Sequence, residues 1–359
     1  MGFRILIIKL GAMGDVLRTT PILGALKKKY HPCHITWLVE EGSVELLKHN
    51  PNIDKILPFR PDSVLRLQVE RYDLLINLEK IDSAIALAEL VAAPVKLGFG
   101  MTSQGTLRTL NPESQYALRL GIDDGLKFFD NKKSYPQIIF EALKLPYNGE
   151  EYSLYLDSKD KNFAVALLAN HGLDEKKTIV GIAPGAGHVF ANKAWPASSY
   201  IELIDRLLDS RDVHVLLLGG EREKDANQII RDGLRNRIKD IGCDYSLNAY
   251  MGIVDQCDLL ICGDTLPMHI GIALKKQVLA IFGPTCHQEI DLFGRGEKIF
   301  TSKKCAPCYK SKCDIPDNCM EQISVDEVYE KAEKLITEKN NYSPQRRKER
   351  KVDQGEKNI

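Results

Sequence analysis

The sequence predicts an α/β protein made of two doubly wound units, each a mostly parallel sheet covered by helices. Three observations predict it. Short runs of Ile, Leu and Val alternate with helix-like segments, once through the first half and again through the second. Glycine-rich or polar clusters follow several of the strands, at the carboxyl ends where open α/β sheets hold ligands. The chain has 359 residues, more than one hydrophobic core comfortably organises, so two domains are the natural division.

The first strand is Arg4–Leu10, a run dominated by Ile and Leu. Gly11–Gly14 turns the chain into a helix carrying Val16, Leu17, Ile22, Leu23 and Leu26. His34–Val39 and Tyr72–Leu78 follow as strands, then a helix over Ser83–Val91 and a short strand at Lys96–Phe99. Parallel strands joined by helices imply right-handed crossovers. Gly100–Pro146 is less regular and carries Arg108, Arg119, Lys127, Lys132 and Lys133 among aromatic and apolar residues. It reads either as a substrate-binding excursion or as ordinary solvated surface.

The alternation restarts at Thr178–Ala183, followed by Pro184-Gly185-Ala186-Gly187 and a helix opening on Trp195-Pro196. Val213–Leu218 ends in Gly219-Gly220-Glu221, and Asp258–Cys262 and Val278–Phe282 supply two more strands. Ser324 and Glu327 form a capping box opening a last helix, to about Glu338. The expected domains are 1–157 and 158–338, with the ligand in the cleft between them, and 339–359 as a disordered polar tail.

Lys+Arg and Asp+Glu balance at 49 each, which argues against a uniformly basic nucleic-acid binder. No apolar run approaches the ~20 residues that span a bilayer. Met1 to Leu10 is one strand long, with no small-residue cleavage site after it, so the expectation is a cytoplasmic protein. Peripheral membrane contact stays open.

Four clusters at strand ends can carry chemistry. In Gly263-Asp264-Thr265-Leu266-Pro267-Met268-His269, Asp264 or Thr265 caps the next helix. Free N–H groups and the dipole there suit a phosphate, and His269 shares a face with Thr265. In Lys9-Leu10-Gly11-Ala12-Met13-Gly14-Asp15 the acid stands at a helix start. It is either a general base for a substrate hydroxyl or an N-cap, and the Gly-x-Gly-x-x-Gly dinucleotide spacing is absent. Gly185 and Ala186 can bring N–H groups to a phosphate, and Lys193 adds a point charge. Glu221 can accept from ribose hydroxyls. For these last two clusters, a plain turn with solvated charges is the alternative.

Cys305, Cys308, Cys313 and Cys319 lie close enough in sequence for a structural zinc or an iron–sulfur cluster, but their spacing fits no standard zinc signature. Unliganded thiols are the other reading, and no reading makes them catalytic. Cys33, Cys243, Cys257, Cys262 and Cys286 read as small core residues.

Together, ILIIKLGAMGDVLRTTPIL, the Lys-x-Trp-Pro at Lys193 and the Asp-Thr-x-x-Met-His at Asp264 resemble glycosyltransferase family 9, the ADP-heptose:lipopolysaccharide heptosyltransferases. The resemblance covers about Arg4 to Ile336. The cysteine segment resembles that of some heptosyltransferase II-like members. What it implies is a GT-B fold, with an acceptor site in the first domain and a nucleotide-sugar site in the second. It implies inverting transfer without a required divalent metal or other cofactor. By resemblance, Asp15 is the base and Lys193 the donor-phosphate lysine. Asp264, Thr265 and His269 contact the phosphates, beside the loop positions Gly14, Gly185 and Ala186. Glu221 contacts the nucleoside and Tyr245 the base.

The implied donor is ADP-heptose. The implied acceptor is a lipid-linked oligosaccharide at the cytoplasmic face of the inner membrane. Two departures bear on the donor. Leu266 stands where the family usually has Gly, and Gly187-His188 where a hydroxyl residue is usual. Another nucleotide-sugar therefore stays open. A GT-B epimerase and a non-catalytic nucleotide-sugar-binding protein are the remaining alternatives; Asp15 argues against the first, Asp15 and Lys193 against the second.

Overall fold

Two open sheets organise the chain in the computed structural model, which describes residues 2–173, 176–186 and 191–338. The first contains β1 (Phe3–Ile8), β2 (Cys33–Val39), β3 (Lys55–Pro58), β4 (Leu74–Asn77), β5 (Val95–Met101) and β6 (Leu107–Thr109). Their order is β3-β2-β1-β4-β5-β6, parallel except for β6 against β5. The second contains β7 (Thr178–Ala183), β8 (Val213–Leu217), β9 (Leu259–Gly263), β10 (Gln277–Phe282) and β11 (Gly296–Phe300). Their order is β11-β10-β9-β7-β8, parallel throughout. Each sheet therefore has a switch point, between β1 and β4 in the first and between β7 and β9 in the second. A crevice opens there at the carboxyl edge.

The central strands are apolar on both faces because helices cover both. Ile5, Leu6, Ile7 and Ile8 are fully buried, as are Leu260, Ile261 and Cys262. Each large apolar side chain so buried contributes roughly 1.5–3 kcal/mol relative to exposure. The three strands absent from the sequence reading are β3, β6 and β11. All are sheet edges, and none shows a continuous apolar run.

The helix expected after Gly14 is two helices, Met13–Thr19 and Ile22–Lys29. Pro21 has no N–H to continue the ladder. The Thr20 amide and hydroxyl both donate instead to the Leu17 carbonyl, at 3.1 and 2.7 Å, and finish the first helix.

Helix Ser158–Asn170, capped by Asp157, packs on helix Leu247–Gln256 and so travels with the second sheet. The last helix, 325–338, opens on Ser324, whose Oγ accepts the Glu327 N–H at 3.2 Å. Residues 339–359, read above as a tail, and Gly187-His188 lie outside the described residues. Among the described residues, no helix is long and apolar enough to cross a membrane.

The excursion Gly100–Pro146 folds as β6 and short helices, Gln115–Arg119, Leu126–Asp130 and Tyr135–Ala142. Five of its six cations are spent locally, Lys144 on Glu113. Arg108 pairs with Glu89, Arg119 with Asp123 and Lys133 with Glu141, while Lys132 donates to the Phe129 carbonyl. Lys127, the sixth, lines a cavity described below.

Candidate active site

The loop after β1 is fixed by a buried ion pair across the first switch point. Lys9 is 5% exposed, and its Nζ donates to Glu79 Oε1 and to the Gly11 carbonyl, both at 2.8 Å. The same Glu79 oxygen accepts the Leu10 and Gly11 amides at 2.8 and 3.2 Å. Two charges leave water here, and the geometry satisfies both. The sequence reading missed Glu79, though it directly follows the predicted strand Tyr72–Leu78.

Asp15 follows as the third residue of helix Met13–Thr19, with Ala12 at the N-cap position. Its carboxylate reaches back to the Ala12 amide, so the capping role and a site role coexist. Arg18 Nε lies 2.9 Å from Asp15 Oδ1, and Lys9 Nζ 3.8 Å from Oδ2. Burial pushes the carboxyl up, but the charges of Arg18 first and Lys9 second outweigh it and hold Asp15 below the usual carboxylate range. With 36% of its side chain open, the ionised acid still faces the cleft. Arg18 is the second residue the sequence reading missed. It stacks over Tyr135 at 3.8 Å.

The second switch point carries a matching pair. Lys193 Nζ lies 3.2 Å from Asp264 Oδ2 and donates to the Asp264 carbonyl at 3.1 Å. Burial raises Asp264, but Lys193, then His269 and the Thr285 hydroxyl, bring it below its ordinary value. Thr265 is the N-cap residue of helix Leu266–Ala273, but its hydroxyl does not cap. In that first turn Pro267 has no N–H and the Met268 amide bonds the Thr265 carbonyl at 3.1 Å, so the Leu266 amide is the one left to meet a ligand. His269 is buried, and burial pushes it down to about 4 against the pull of Asp264, so the imidazole is neutral near pH 7. Its Nδ1 has no hydrogen-bond partner among the described residues.

The two halves meet at these loops. A Cβ on Gly14 would lie 2.4 Å from His269 Cδ2, so only glycine admits this approach. The segment after β10 crosses to the first domain. There Glu289 Oε2 lies 3.6 Å from Arg18, and the Glu289 carbonyl accepts the Tyr135 amide at 2.9 Å. Arg295 and Glu151 form a two-pronged pair at 2.9 and 2.8 Å. Asp15, His269, Asp264 and Lys193 therefore face one cleft.

Gly185 and Ala186 lie in the loop after β7. The acid facing them is Glu223. A Cβ on Gly185 would meet Glu223 Cγ at 2.6 Å, and Glu223 Oε2 accepts the Gly220 amide at 2.9 Å. Glu221 stands outward, 72% exposed, beside Lys224. The turn Glu221–Glu223 explains the switch, since two further residues bring the chain round to face the loop. Tyr245 precedes the Ser246 cap of Leu247–Gln256 and packs edge-on against Phe163.

The four clustered cysteines fall in one loop segment after β11. Among the described residues, no three His, Cys, Asp or Glu converge to hold a metal. Cys305 and Cys313 are exposed, whereas Cys319 is buried under Gly283 with Met320. Burial raises the Cys319 thiol, and Cys308, Cys313 and Cys305 raise it further, so the four thiols share one neighbourhood. Of the five scattered cysteines, Cys257, Cys262 and Cys286 are buried, and Cys33 and Cys243 half-buried.

Comparison with known proteins agrees with this geometry. Residues 64–318 match the family described as glycosyltransferase family 9 (heptosyltransferase). Lipooligosaccharide heptosyltransferase 2 of Campylobacter jejuni is 24% identical, over 90% of this chain and 95% of that one. Lipopolysaccharide heptosyltransferase 1 of Escherichia coli K12 is 23% identical, over 82% and 92%. The fold is similar to that of a family 9 glycosyltransferase from Veillonella parvula, at TM-score 0.73 and 20% identity over 94% and 97%. It is also similar to E. coli ADP-heptose LPS heptosyltransferase II, at TM-score 0.67 and 18% identity over 94% and 100%. With two doubly wound sheets, facing polar loops and a family match over most of its length, the chain belongs to glycosyltransferase family 9, a glycosyl-transferring enzyme of GT-B fold.

Proposed function

We propose that the protein moves a heptose from ADP-heptose to a lipopolysaccharide core acceptor with inversion at the anomeric carbon. The observation that carries this reading is the contact of Gly14 with His269, which sets ionised Asp15 opposite the Lys193–Asp264 pair. Asp15 takes the proton of the acceptor hydroxyl as that oxygen attacks. The bond to the departing diphosphate breaks, and Lys193 with the Leu266 amide meets the charge that builds there. Arg18 and Lys9 keep Asp15 ionised before attack and orient it. Their cost is basicity, since a carboxylate so paired is a weaker base.

Glu223, facing the Gly185–Ala186 loop, takes the nucleoside contact that resemblance gave to Glu221, and Tyr245 borders the base. His269, neutral, fills the space between the two catalytic loops. The two heptosyltransferase relatives support the donor and acceptor classes. Transfer takes place at the cytoplasmic face of the inner membrane, where a lipid-linked acceptor is reached without crossing the bilayer.

The test is calorimetric binding of ADP, UDP and GDP without divalent metal, then turnover of ADP-heptose with a lipid A–Kdo acceptor. ADP selectivity and turnover are expected. Preference for UDP or GDP would replace ADP-heptose by another nucleotide-sugar, an outcome consistent with Leu266 at the helix start, whose side chain fills space that the usual Gly leaves open. Binding without turnover would favour a non-catalytic role.

A further inference from the structure

A cavity of about 160 Å³ opens beside Arg18 in the first domain. Arg18, Lys80, Lys127 and Glu289 are its charged lining, with Phe99 and Tyr135 among the aromatic walls. Arg18 is partnered by Asp15 and Glu289. Lys80 and Lys127 have no carboxylate partner among the described residues, unlike Arg108, Arg119 and Lys133 of the neighbouring excursion. Lys80 donates to the Ala117 carbonyl at 2.8 Å and lies over Phe99. Burial first, and Lys127 second, lower its pKa to about 8. Glu289 and Glu79 pull the other way, but with Arg18, Lys80 and Lys127 against Glu289 the lining stays net positive, and a further anion there relieves the repulsion.

Lys127 is not held by its own domain. Its Nζ sits 3.9 Å from the ring centre of Tyr309, which belongs to the cysteine segment of the second domain. The next residue, Phe128, stacks on the same ring at 5.6 Å with planes 5° apart. Tyr309 is fixed in turn, because its hydroxyl accepts the Cys286 amide at 3.2 Å. The Lys127 carbonyl accepts from Gln288 at 3.1 Å. A ring from the donor-side domain thus places a lysine of the acceptor-side domain, and it does so only when the domains are together.

We propose that Tyr309 is a positioning residue for acceptor recognition: it holds Lys127 at the cavity beside Arg18, where Lys127 and Lys80 bind an anionic group of the acceptor, a carboxylate or a phosphate. The inference rests on the transferase reading above. It gives the cysteine segment a task in the closed enzyme that needs no metal. An acceptor anion, seated between two lysines, sets its hydroxyl toward Asp15.

The experiment uses the full chain with ADP-heptose and the lipid A–Kdo acceptor. Wild-type turnover tests the transferase reading by itself, and its absence would count against that reading. Lys127→Met and Tyr309→Ala are each expected to raise the acceptor KM about tenfold, the scale of one cation–π or ionic contact, with the donor KM unchanged. The double variant should be no worse than Lys127→Met alone, because both remove one interaction. Tyr309→Phe keeps the ring and Lys127→Arg keeps the charge, so each should restore most of the affinity.

Removing the acceptor's phosphates identifies the anion. A KM raised to the Lys127→Met value assigns phosphate, and an unchanged KM assigns carboxylate; both support the proposal. A second readout does not need turnover: acetylation of Lys127 by an acylating reagent, followed by mass spectrometry, should speed up in Tyr309→Ala. Additive effects, a matching rise in donor KM, or unchanged Lys127 reactivity would overturn the proposal.

Discussion

Gly14 and His269 touch across the cleft so closely that a methyl group on Gly14 would stand 2.4 Å from the imidazole Cδ2. One residue opens the helix that carries Asp15, and the other lies in the helix that follows Asp264. Their contact is therefore the gauge of how near the two catalytic loops can come.

Gly14→Ala should hold the domains apart. The added carbon must displace a buried ring or open the cleft, at a cost of about 1–3 kcal/mol. We expect kcat to fall at least about tenfold while ADP affinity changes little. Small-angle scattering with ADP bound should show a larger radius of gyration than wild type; an unchanged radius with full kcat would reject the gauge.

Asp15→Asn keeps the shape and removes the charge. Loss of a general base should lower kcat by about 10²–10⁴-fold, with ADP binding retained in calorimetry. Unchanged turnover would remove Asp15 from the chemistry.

Lys193→Ala leaves Asp264 buried without its first partner. ADP affinity should drop by about 2 kcal/mol or more, since a charged hydrogen-bond donor to the diphosphate is gone. Titration calorimetry on the variant reads this directly, and wild-type affinity would place the diphosphate elsewhere.

Glu223→Ala should weaken ADP binding about tenfold, because it frees the Gly220 amide and hollows the loop at Gly185. Glu221→Ala should stay within about twofold, as surface changes usually do. The reverse ranking would return the nucleoside contact to Glu221.

His269 makes stability depend on pH. Its folded pKa is about 4 against 6.5 in the free side chain, so between these values the unfolded chain takes up a proton that the native state refuses. Stability therefore rises with pH through that window. Between about pH 5 and about pH 7.5 the gain from this group is roughly 2 kcal/mol. Urea unfolding should show the slope in wild type and a flatter one in His269→Gln; parallel curves would show that His269 titrates normally.

Much of this site was legible because the chemistry sits where buried strands end. The runs at Ile5–Ile8 and Leu259–Cys262 are unmistakable, and the residues after them, Asp15 and Asp264, stand in the cleft. What stayed illegible depends on contacts distant in sequence. Glu79 meets Lys9 only through the pairing of β1 with β4, and Glu289 meets Arg18 only through domain contact. That Glu223 rather than Glu221 faces the Gly185 loop was also illegible, because a strand-end glycine pair does not reveal how many residues the following turn consumes.

The pair Lys9–Glu79 has a wider consequence. It locks the loop bearing the attacking side's acid from within a single sheet, using no group from the facing half. The Asp15 loop therefore keeps its shape whatever the facing half does, and on the proposed transfer the acid needs no rearrangement of its own sheet to meet an acceptor.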